Sequence, residues 1–196
     1  MWPTPITLTG QHVMLAPLSH EHLTDLQEAS ADGELHRLWY TSVPAPEDME
    51  ADISRRLALQ TAGSMLPFTV MTSNGKPVGM TTYMNIDATN KRVEIGSTWY
   101  RKSVQRGPLN TEAKQLLLSH AFEELNCIAV EFRTHFMNRQ SRAAIERLGA
   151  KLDGVLRSHM LGPEGSLRDT AVYSIIKSEW PAVNQNLTWA LKRPRD

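Results

Sequence analysis

Cysteine, net charge and long hydrophobic segments are all scarce in this chain of 196 residues. The single cysteine, Cys127, excludes an intramolecular disulfide and a cysteine-based zinc site. The 21 basic and 21 acidic side chains cancel, so no overall field attracts nucleic acid or an anionic membrane surface. No apolar run approaches the ~20 residues of a membrane span, and the first residues lack the pattern of a signal peptide. We therefore expect a cytoplasmic protein with neither a nucleic-acid nor a membrane partner.

The composition is that of an ordinary globular protein. Hydrophobic residues make up 41% of the chain and charged residues 21%, as in typical soluble domains. A chain of 196 residues also fits one domain. We predict a single domain over residues 1–196, in which residues 179–196 form a C-terminal surface tail.

Periodicity and turn signals predict the order of strands and helices. Ser19 is a good N-cap for a first helix that ends near residue 31, and acidic side chains favour the start of a second helix over 47–61. Ser73-Asn74-Gly75 is the strongest hairpin signal. Further strands are predicted at 93–100, 128–134, 151–160 and 169–176, the last two joined by a turn at 162–165. Further helices are predicted after the loop that follows strand 93–100, ending near residue 126, and at 139–148. This order predicts helices packed on a mixed central sheet.

A basic loop follows the predicted strand 93–100. Between Ile95 and Thr111 there is no acidic side chain, whereas Arg101, Lys102 and Arg106 are basic. A helix begins at the end of the loop, and the free N–H groups of a helix N-terminus bind anions. The loop is either a site for a phosphate-bearing ligand or a set of solvated charges.

A second polar turn, at residues 135–142, follows the next strand. Asn138 precedes a helix with an apolar inner face, so its side chain either caps the helix or bridges a ligand. If strand 128–134 lies beside strand 93–100, both loops meet at the C-terminal ends of neighbouring strands. Open α/β sheets usually bind ligands there, and His135 would lie near this cleft.

Several features of this region resemble the GNAT superfamily of acyl-CoA N-acyltransferases. They are the strand end Trp99-Tyr100, the segment Gln105–Lys114, the pair Asn138 and Ser141, and Leu148-Gly149-Ala150. The sequence is most similar to the branch of ribosomal-protein alanine and serine N-acetyltransferases. The resemblance implies an α/β (α+β) GNAT fold, with about seven strands, helices on both faces and a splay between Val93–Tyr100 and Ile128–Thr134.

The resemblance also implies a function. A GNAT enzyme of this kind would transfer the acetyl group of acetyl-CoA directly to a primary amine, with no acyl-enzyme and no metal. The acceptor would be a protein N-terminus or a small amine, and a homodimer is an open alternative to a monomer. The alternative function is a GNAT-like module that binds acyl-CoA, or a protein partner, without turnover.

The implied cofactor contacts are concentrated in the two loops. They are Trp99, Tyr100, Gln105, Arg106, Gly107, Pro108, Leu109, Asn110, Thr111, Lys114, Asn138, Ser141 and Arg142. The family's pyrophosphate loop has small residues where Pro108 and Asn110 stand here. Proline is tolerated in a first helical turn, so we interpret the change as variation.

The implied catalytic groups depart from the family in one place. Many GNAT enzymes have a tyrosine, which protonates the leaving thiolate, at the position of Ile145. Ser141 is the resemblance-based substitute, and its alternative role is a hydroxyl that satisfies the helix backbone. Glu94 and Glu131 are the candidate general bases, because a half-buried carboxylate has a raised pKa; the alternative for each is a paired strand residue. Trp39 and Tyr40 resemble residues that line the acceptor site.

Overall fold

The computed structural model describes residues 2–162 and 165–193, so residues 163 and 164 of the predicted turn at 162–165 lie outside the described residues. One mixed sheet contains eight described strands in the order β1-β2-β3-β4-β5-β6-β8-β7. The strands are β1 Leu8–Thr9, β2 Val13–Pro17, β3 Met65–Thr72, β4 Pro77–Asp87, β5 Arg92–Tyr100, β6 Ala129–His135, β7 Lys151–Leu161 and β8 Leu167–Ile176. The α-helices are α1 Leu23–Ala31, α2 Met49–Thr61, α3 Leu109–Ser119, α4 Arg139–Arg147 and α5 Trp180–Lys192. The predicted mixed sheet is confirmed, and the N-terminal segment supplies two strands.

Two hydrophobic clusters lie on opposite faces of the sheet. On one face, α1 and α2 pack against Met80 of β4 and Trp99 of β5. On the other face, α3 and α5 pack against a larger cluster that includes Tyr83 of β4 and Val130 of β6. Because successive strand residues point to opposite faces, Met80 and Tyr83 belong to different faces of one strand. Helices on both faces, as predicted, are confirmed.

β5 and β6 pair in parallel over three rungs and then separate. The rungs join Arg92 to Ala129, Val93 to Val130 and Glu94 to Glu131. Beyond Glu94, β5 bends: Ser97 has a φ of 47° and the register with β4 shifts nearby, as expected of a bulge that redirects a strand. The predicted splay is confirmed, and it opens a cleft between the C-terminal ends of β5 and β6.

The C-terminal segment differs from the prediction. Residues 180–192 form a helix, and the side chains of Trp180, Val183 and Leu187 are buried in the larger cluster. The indole of Trp180 stacks on Phe122 at 5.5 Å between ring centroids. The prediction of a surface tail is therefore wrong for these residues, because their spacing of three and four gives the helix an apolar side that needs a partner.

No helix of the described residues is long and apolar enough to cross a membrane. Within the same residues, no group of three or more His, Cys, Asp or Glu side chains is arranged to hold a metal ion.

Candidate active site

The loop after β5 is fixed by the end of α1. The carboxylate of Asp32 accepts hydrogen bonds from Arg101 Nε at 3.0 Å and from Ser103 N at 3.2 Å, and the Asp32 carbonyl accepts one from Lys102 N at 3.2 Å. Hydrogen bonds from Ser103 and Arg101 lower the pKa of Asp32. Gln105 Nε2 donates to the Tyr100 carbonyl at 2.9 Å. The side chains of Arg101 and Gln105 thus shape the loop itself.

The start of α3 accommodates Pro108 without distortion. Pro108 has helical dihedral angles, φ −69° and ψ −23°, and the first helical hydrogen bond runs from Glu112 N to Pro108 O at 3.0 Å. The left-handed residue of this loop is Arg106, with a φ of 64°. By helix geometry, the amides of residues 109–111 have no acceptor within α3. The helix therefore presents three N–H groups where an anion could bind.

Glu112 is a site-positioning residue that the sequence interpretation missed. Its buried carboxylate accepts hydrogen bonds from the backbone N–H groups of Gln11, His12 and Val13, at 2.9, 2.6 and 2.9 Å. A Cβ at Gly10 would lie 2.5 Å from Glu112 Cδ, so only glycine fits beside it. An acidic residue in a first helical turn was the available signal, but its partners are about a hundred residues away. Glu112 ties the start of α3 to the turn between β1 and β2.

Lys114 does not belong to the loop surface. Its side chain is buried, and Nζ donates to Thr81 Oγ1 at 3.1 Å and to Thr98 Oγ1 at 2.7 Å. Burial lowers the pKa of Lys114 to about 7. One helical turn beyond the loop, the Lys114 side chain points at β4 and β5, whereas the sequence interpretation placed it among the cofactor contacts of the loop.

Trp99 and Tyr100 also contribute core side chains. Trp99 belongs to the cluster under α1 and α2, whereas Tyr100 belongs to the cluster on the opposite face. Among the described residues, neither Trp99 Nε1 nor the Tyr100 hydroxyl has a hydrogen-bond partner. Burial raises the pKa of Tyr100 well above its usual value. A ligand in the cleft would meet the backbone of these residues.

The second loop is capped by Asn138. Its Oδ1 accepts a hydrogen bond from Ser141 N at 2.9 Å, which fixes the first turn of α4. In the described part of the chain, the side-chain nitrogen of Asn138 has no hydrogen bond of its own. The capping alternative is thus realised, and the amide nitrogen is left available to a ligand. The side chain of Ser141 is half-buried beside it.

Two other α4 residues hold the helix on the sheet. Arg142 Nε donates to the Tyr173 hydroxyl at 2.9 Å, and its guanidinium lies 4.5 Å from the centroid of the Phe136 ring. Ile145, where many family members have tyrosine, is buried in the larger cluster. Arg142 therefore has a structural role, and position 145 offers no proton donor.

The two candidate bases occupy opposite positions on β5 and β6 but have different environments. Glu94 is 4% exposed, accepts a hydrogen bond from Asn85 Nδ2 at 2.7 Å and lies 3.4 Å from Arg133 Nε. Its burial raises its pKa. Burial acts on Glu131 in the same direction, but hydrogen bonds and charge from Arg133 and Arg92 outweigh it and lower the pKa of Glu131. Glu94 is the better proton acceptor, and Glu131 is a paired anion.

The loop between α1 and α2 reaches the end of β6. The Trp39 ring contacts His135 edge-on, with 5.0 Å between centroids, and contacts Tyr40 in the same way at 5.6 Å. Trp39 is nevertheless 64% exposed. Burial lowers the pKa of His135, whose Nδ1 accepts a hydrogen bond from Met137 N at 3.0 Å. The aromatic pair thus lies beside the C-terminal end of β6, on the face that carries Glu131 and Arg133.

Arg168 is a second residue that the sequence interpretation missed. It lies on the face of β8 that carries Thr170, the partner of His135 in the sheet register. Arg168 Nε is buried and has no hydrogen-bond partner among residues 2–162 and 165–193. Burial lowers the pKa of the guanidinium, against the opposing effect of the Glu94 carboxylate. In the sequence, an arginine next to an aspartate in a predicted strand does not indicate this environment.

Residues 12–151 match the family described as an acetyltransferase (GNAT) domain, which is more than half of the chain. The chain belongs to the GNAT acetyltransferase family. The open sheet with its splayed β5 and β6 is accordingly the GNAT fold, and the chain is a member of a family of enzymes.

Three relatives illustrate this membership. YdaF of Bacillus subtilis (strain 168), a proposed ribosomal N-acetyltransferase, is 34% identical over 107 residues, or 55% of this chain and 57% of YdaF. The chain therefore spans little more than half of that curated relative. A GCN5-related N-acetyltransferase from Brucella melitensis is 31% identical, with a TM-score of 0.85 over 96% of this chain and 86% of its own. RimJ of Mycobacterium smegmatis, solved with a CoA disulfide, shares the fold at 23% identity, with a TM-score of 0.78 over 96% and 95% of the two chains.

Proposed function

We propose that this protein is an acetyl-CoA-dependent N-acetyltransferase that transfers the acetyl group directly to a primary amine. One observation carries the proposal: β5 and β6 stop pairing after Glu94 and Glu131, and polar loops flank the gap that follows. Unpaired strand edges in such a gap offer backbone N–H and C=O groups to a ligand. Membership of the GNAT family supports acetyl-CoA as that ligand.

The residues of the two loops fit a CoA molecule. The pyrophosphate binds at the start of α3, where the amides of Leu109, Asn110 and Thr111 lack acceptors in the helix. Gln105, Arg106, Gly107 and Pro108 form the rest of this wall. On the opposite side of the cleft, the free amide nitrogen of Asn138 donates to the cofactor. When bound, acetyl-CoA supplies an activated acyl group.

Backbone N–H groups of β5 stabilise the developing negative charge, and the side chains of Glu94 and Ser141 transfer protons. N–H groups of β5 beyond Glu94 donate to the acyl oxygen, where negative charge develops during transfer. The Glu94 carboxylate accepts the proton of the ammonium group, since its burial brings its pKa closer to neutrality. The Ser141 hydroxyl, in the first turn of α4, donates a proton to the leaving thiolate. Glu131 stays ionised and holds Arg92 and Arg133.

The acceptor is a protein N-terminal amine in this proposal. Trp39 exposes most of its ring beside His135, and exposed aromatic side chains commonly serve as anchors for a polypeptide. Leu161 and Leu167, which pair across the β7–β8 hairpin, are 74% and 65% exposed. The name of YdaF, with its ribosomal acetylation, supports the same class of acceptor. A small amine would leave these exposed apolar side chains without a role.

One observation favours a second candidate, a module that binds acyl-CoA without turnover. Ile145 occupies the place of the usual proton-donating tyrosine and is buried in the core. If Ser141 does not replace it, the leaving thiolate has no proton donor.

Two assays test the proposal. Saturating acetyl-CoA should raise the unfolding temperature, whereas free adenosine should not, because binding to the folded state alone stabilises it. Thiol release is then measured with short peptides that have a free N-terminal amine and with small amines. Release with peptides supports the enzyme. Stabilisation without release from any acceptor supports the binding module, and absence of stabilisation contradicts both.

A further inference from the structure

Arg168 is a poorly compensated charged side chain on the face of the sheet that carries Glu94 and Glu131. Among the described residues, its guanidinium makes no ion pair and its buried Nε makes no hydrogen bond. Arg56 provides the comparison within the same protein: it is 2% exposed and pairs with Asp52 at 2.6 Å and with the Thr82 hydroxyl at 3.0 Å. Arg168 is only partly buried, but its Nε is desolvated without such a partner, and that costs folding free energy.

The nearby acidic groups are already engaged elsewhere. Asp169, the next residue, pairs with Arg157 at 2.6 Å and accepts a hydrogen bond from Ser158 N at 2.7 Å. Glu94 acts on Arg168 through space, but its hydrogen bond goes to Asn85 and its ion pair to Arg133. Neither carboxylate is therefore positioned as a partner for the Arg168 guanidinium.

The position of Arg168 connects it to the acceptor. Its strand face carries Thr170, which lies opposite His135 in the sheet, and His135 contacts Trp39. Both His135 and Glu94 experience the charge of Arg168. Arg168 thus lies on the same face of the sheet as the proposed base and His135, and its charge acts on both residues.

We propose that Arg168 binds a carboxylate of the acceptor that lies a few bonds from the amine to be acetylated. A planar guanidinium matches a carboxylate with two parallel hydrogen bonds, and it does so best where water is excluded. The acceptor would then place its amine at Glu94 and its carboxylate at Arg168. This inference rests on the proposed transfer to an amine, and it adds the chemical class of the preferred acceptor.

Two sources of the carboxylate share this chemistry. One is an acidic second residue behind a peptide N-terminus, and the other is the α-carboxylate of a free amino acid. Three probes separate them: a peptide that begins Ala-Asp, the same peptide with Ala-Asn, and free alanine. The Asp and Asn peptides differ by one charged group at constant size.

The test is calorimetric titration of each probe into CoA-saturated protein, so that binding is measured without turnover. The Ala-Asp peptide should bind roughly tenfold or more tightly than the Ala-Asn peptide. Arg168→Gln should reduce this ratio to about one, and Arg168→Lys should keep part of it because the charge remains. The control Arg147→Gln, which removes an exposed arginine at the end of α4, should leave the ratio unchanged. Tight binding of free alanine that depends on Arg168 would assign the amino-acid source.

The outcomes separate this inference from the proposed function. Equal binding of the two peptides to the unmodified protein together with no binding of free alanine, or no binding of any probe, would overturn the role of Arg168. That comparison needs no variant, so it holds even if Arg168→Gln does not fold. Thiol release at equal rates from both peptides would leave the acetyltransferase standing and remove the carboxylate preference. Tighter binding of the Ala-Asp peptide that depends on Arg168, without thiol release, would support the carboxylate site and contradict the proposed acetyltransferase activity.

Discussion

Glu94 of β5 and Glu131 of β6 face each other at the last rung before the two strands separate. Arg133 contacts both carboxylates, at 3.4 Å to Glu94 and 2.9 Å to Glu131. Glu131 has a second arginine, Arg92, whereas Glu94 has a neutral amide, Asn85. The pKa values of the two carboxyl groups are therefore shifted in opposite directions. Neighbouring carboxyl groups whose pKa values differ in this way usually have different chemical roles.

Replacing Glu94 should remove the base. Glu94→Gln keeps the shape and should lower kcat by about 10²- to 10⁴-fold, the usual contribution of a general base, with little change in acetyl-CoA affinity. Glu131→Gln is the matched comparison and should lower kcat far less. Steady-state kinetics of both variants checks this. Similar losses in the two would show that the shared Arg133 network, not proton transfer, matters.

Glu94 should also determine the pH dependence of the reaction. Burial raises the pKa of Glu94, and the base works only when deprotonated, so kcat/KM should fall as the pH decreases through that raised value. The acid limb should lie above the pH at which a solvated glutamate titrates, near 4.3. A pH–rate profile of the unmodified protein and Glu94→Gln checks this. An acid limb that survives in the variant would assign it to another group.

The burial of Lys114 should give the protein an unusual pH dependence of stability. Its pKa falls from 10.5 to about 7 on folding, so between these values the unfolded chain binds more protons than the folded one. The free energy of unfolding should rise with pH in this window, by up to about 1.4 kcal/mol per pH unit from this residue. Lys114→Met should be at least as stable as the unmodified protein at pH 7.

Urea denaturation at pH 7 and 8.5 checks the prediction for Lys114. The difference in stability between the variant and the unmodified protein should shrink as the pH rises, and this comparison cancels the other titrating groups. A constant difference would mean that Lys114 is protonated in the folded protein throughout.

Glu112 should matter for both stability and cofactor affinity. Glu112→Ala leaves the backbone N–H groups of residues 11–13 without their acceptor. This loss should cost about 2–4 kcal/mol of unfolding free energy. Because the start of α3 loses its anchor, acetyl-CoA affinity should also fall. Urea denaturation and calorimetry measure the two effects, with Glu124→Gln, an exposed change, as the control. Unaltered affinity in a destabilised variant would separate the anchor from the binding site.

Asn138 allows its two roles to be separated. Asn138→Ser keeps a good N-cap but removes the amide nitrogen, whereas Asn138→Ala removes both. We expect Asn138→Ser to weaken acetyl-CoA binding at nearly full stability, and Asn138→Ala to lose about 1 kcal/mol of stability as well. Thermal unfolding and titration with acetyl-CoA check this. Full affinity in both variants would limit Asn138 to capping.

The sequence predicted features that depend on neighbouring residues, and it failed where distant residues meet. The hairpin and the helix caps follow from local periodicity and turn chemistry, whereas the splay between the two strands was implied by the resemblance to the GNAT superfamily. The surroundings of Lys114 were not predicted, because its sequence neighbours belong to the loop and to α3, while its partners Thr81 and Thr98 lie on β4 and β5. Glu112 was missed for the same reason. The environment of Arg168 depends on sheet register between β6 and β8, which no local pattern reveals.

The most direct test of the account is thiol release from acetyl-CoA with a short peptide acceptor, measured for the unmodified protein and for Glu94→Gln at the same pH. Release should require the free N-terminal amine and should be lost in the variant, while both proteins should be stabilised equally by acetyl-CoA. Equal stabilisation with no release from any amine in the unmodified protein would contradict it.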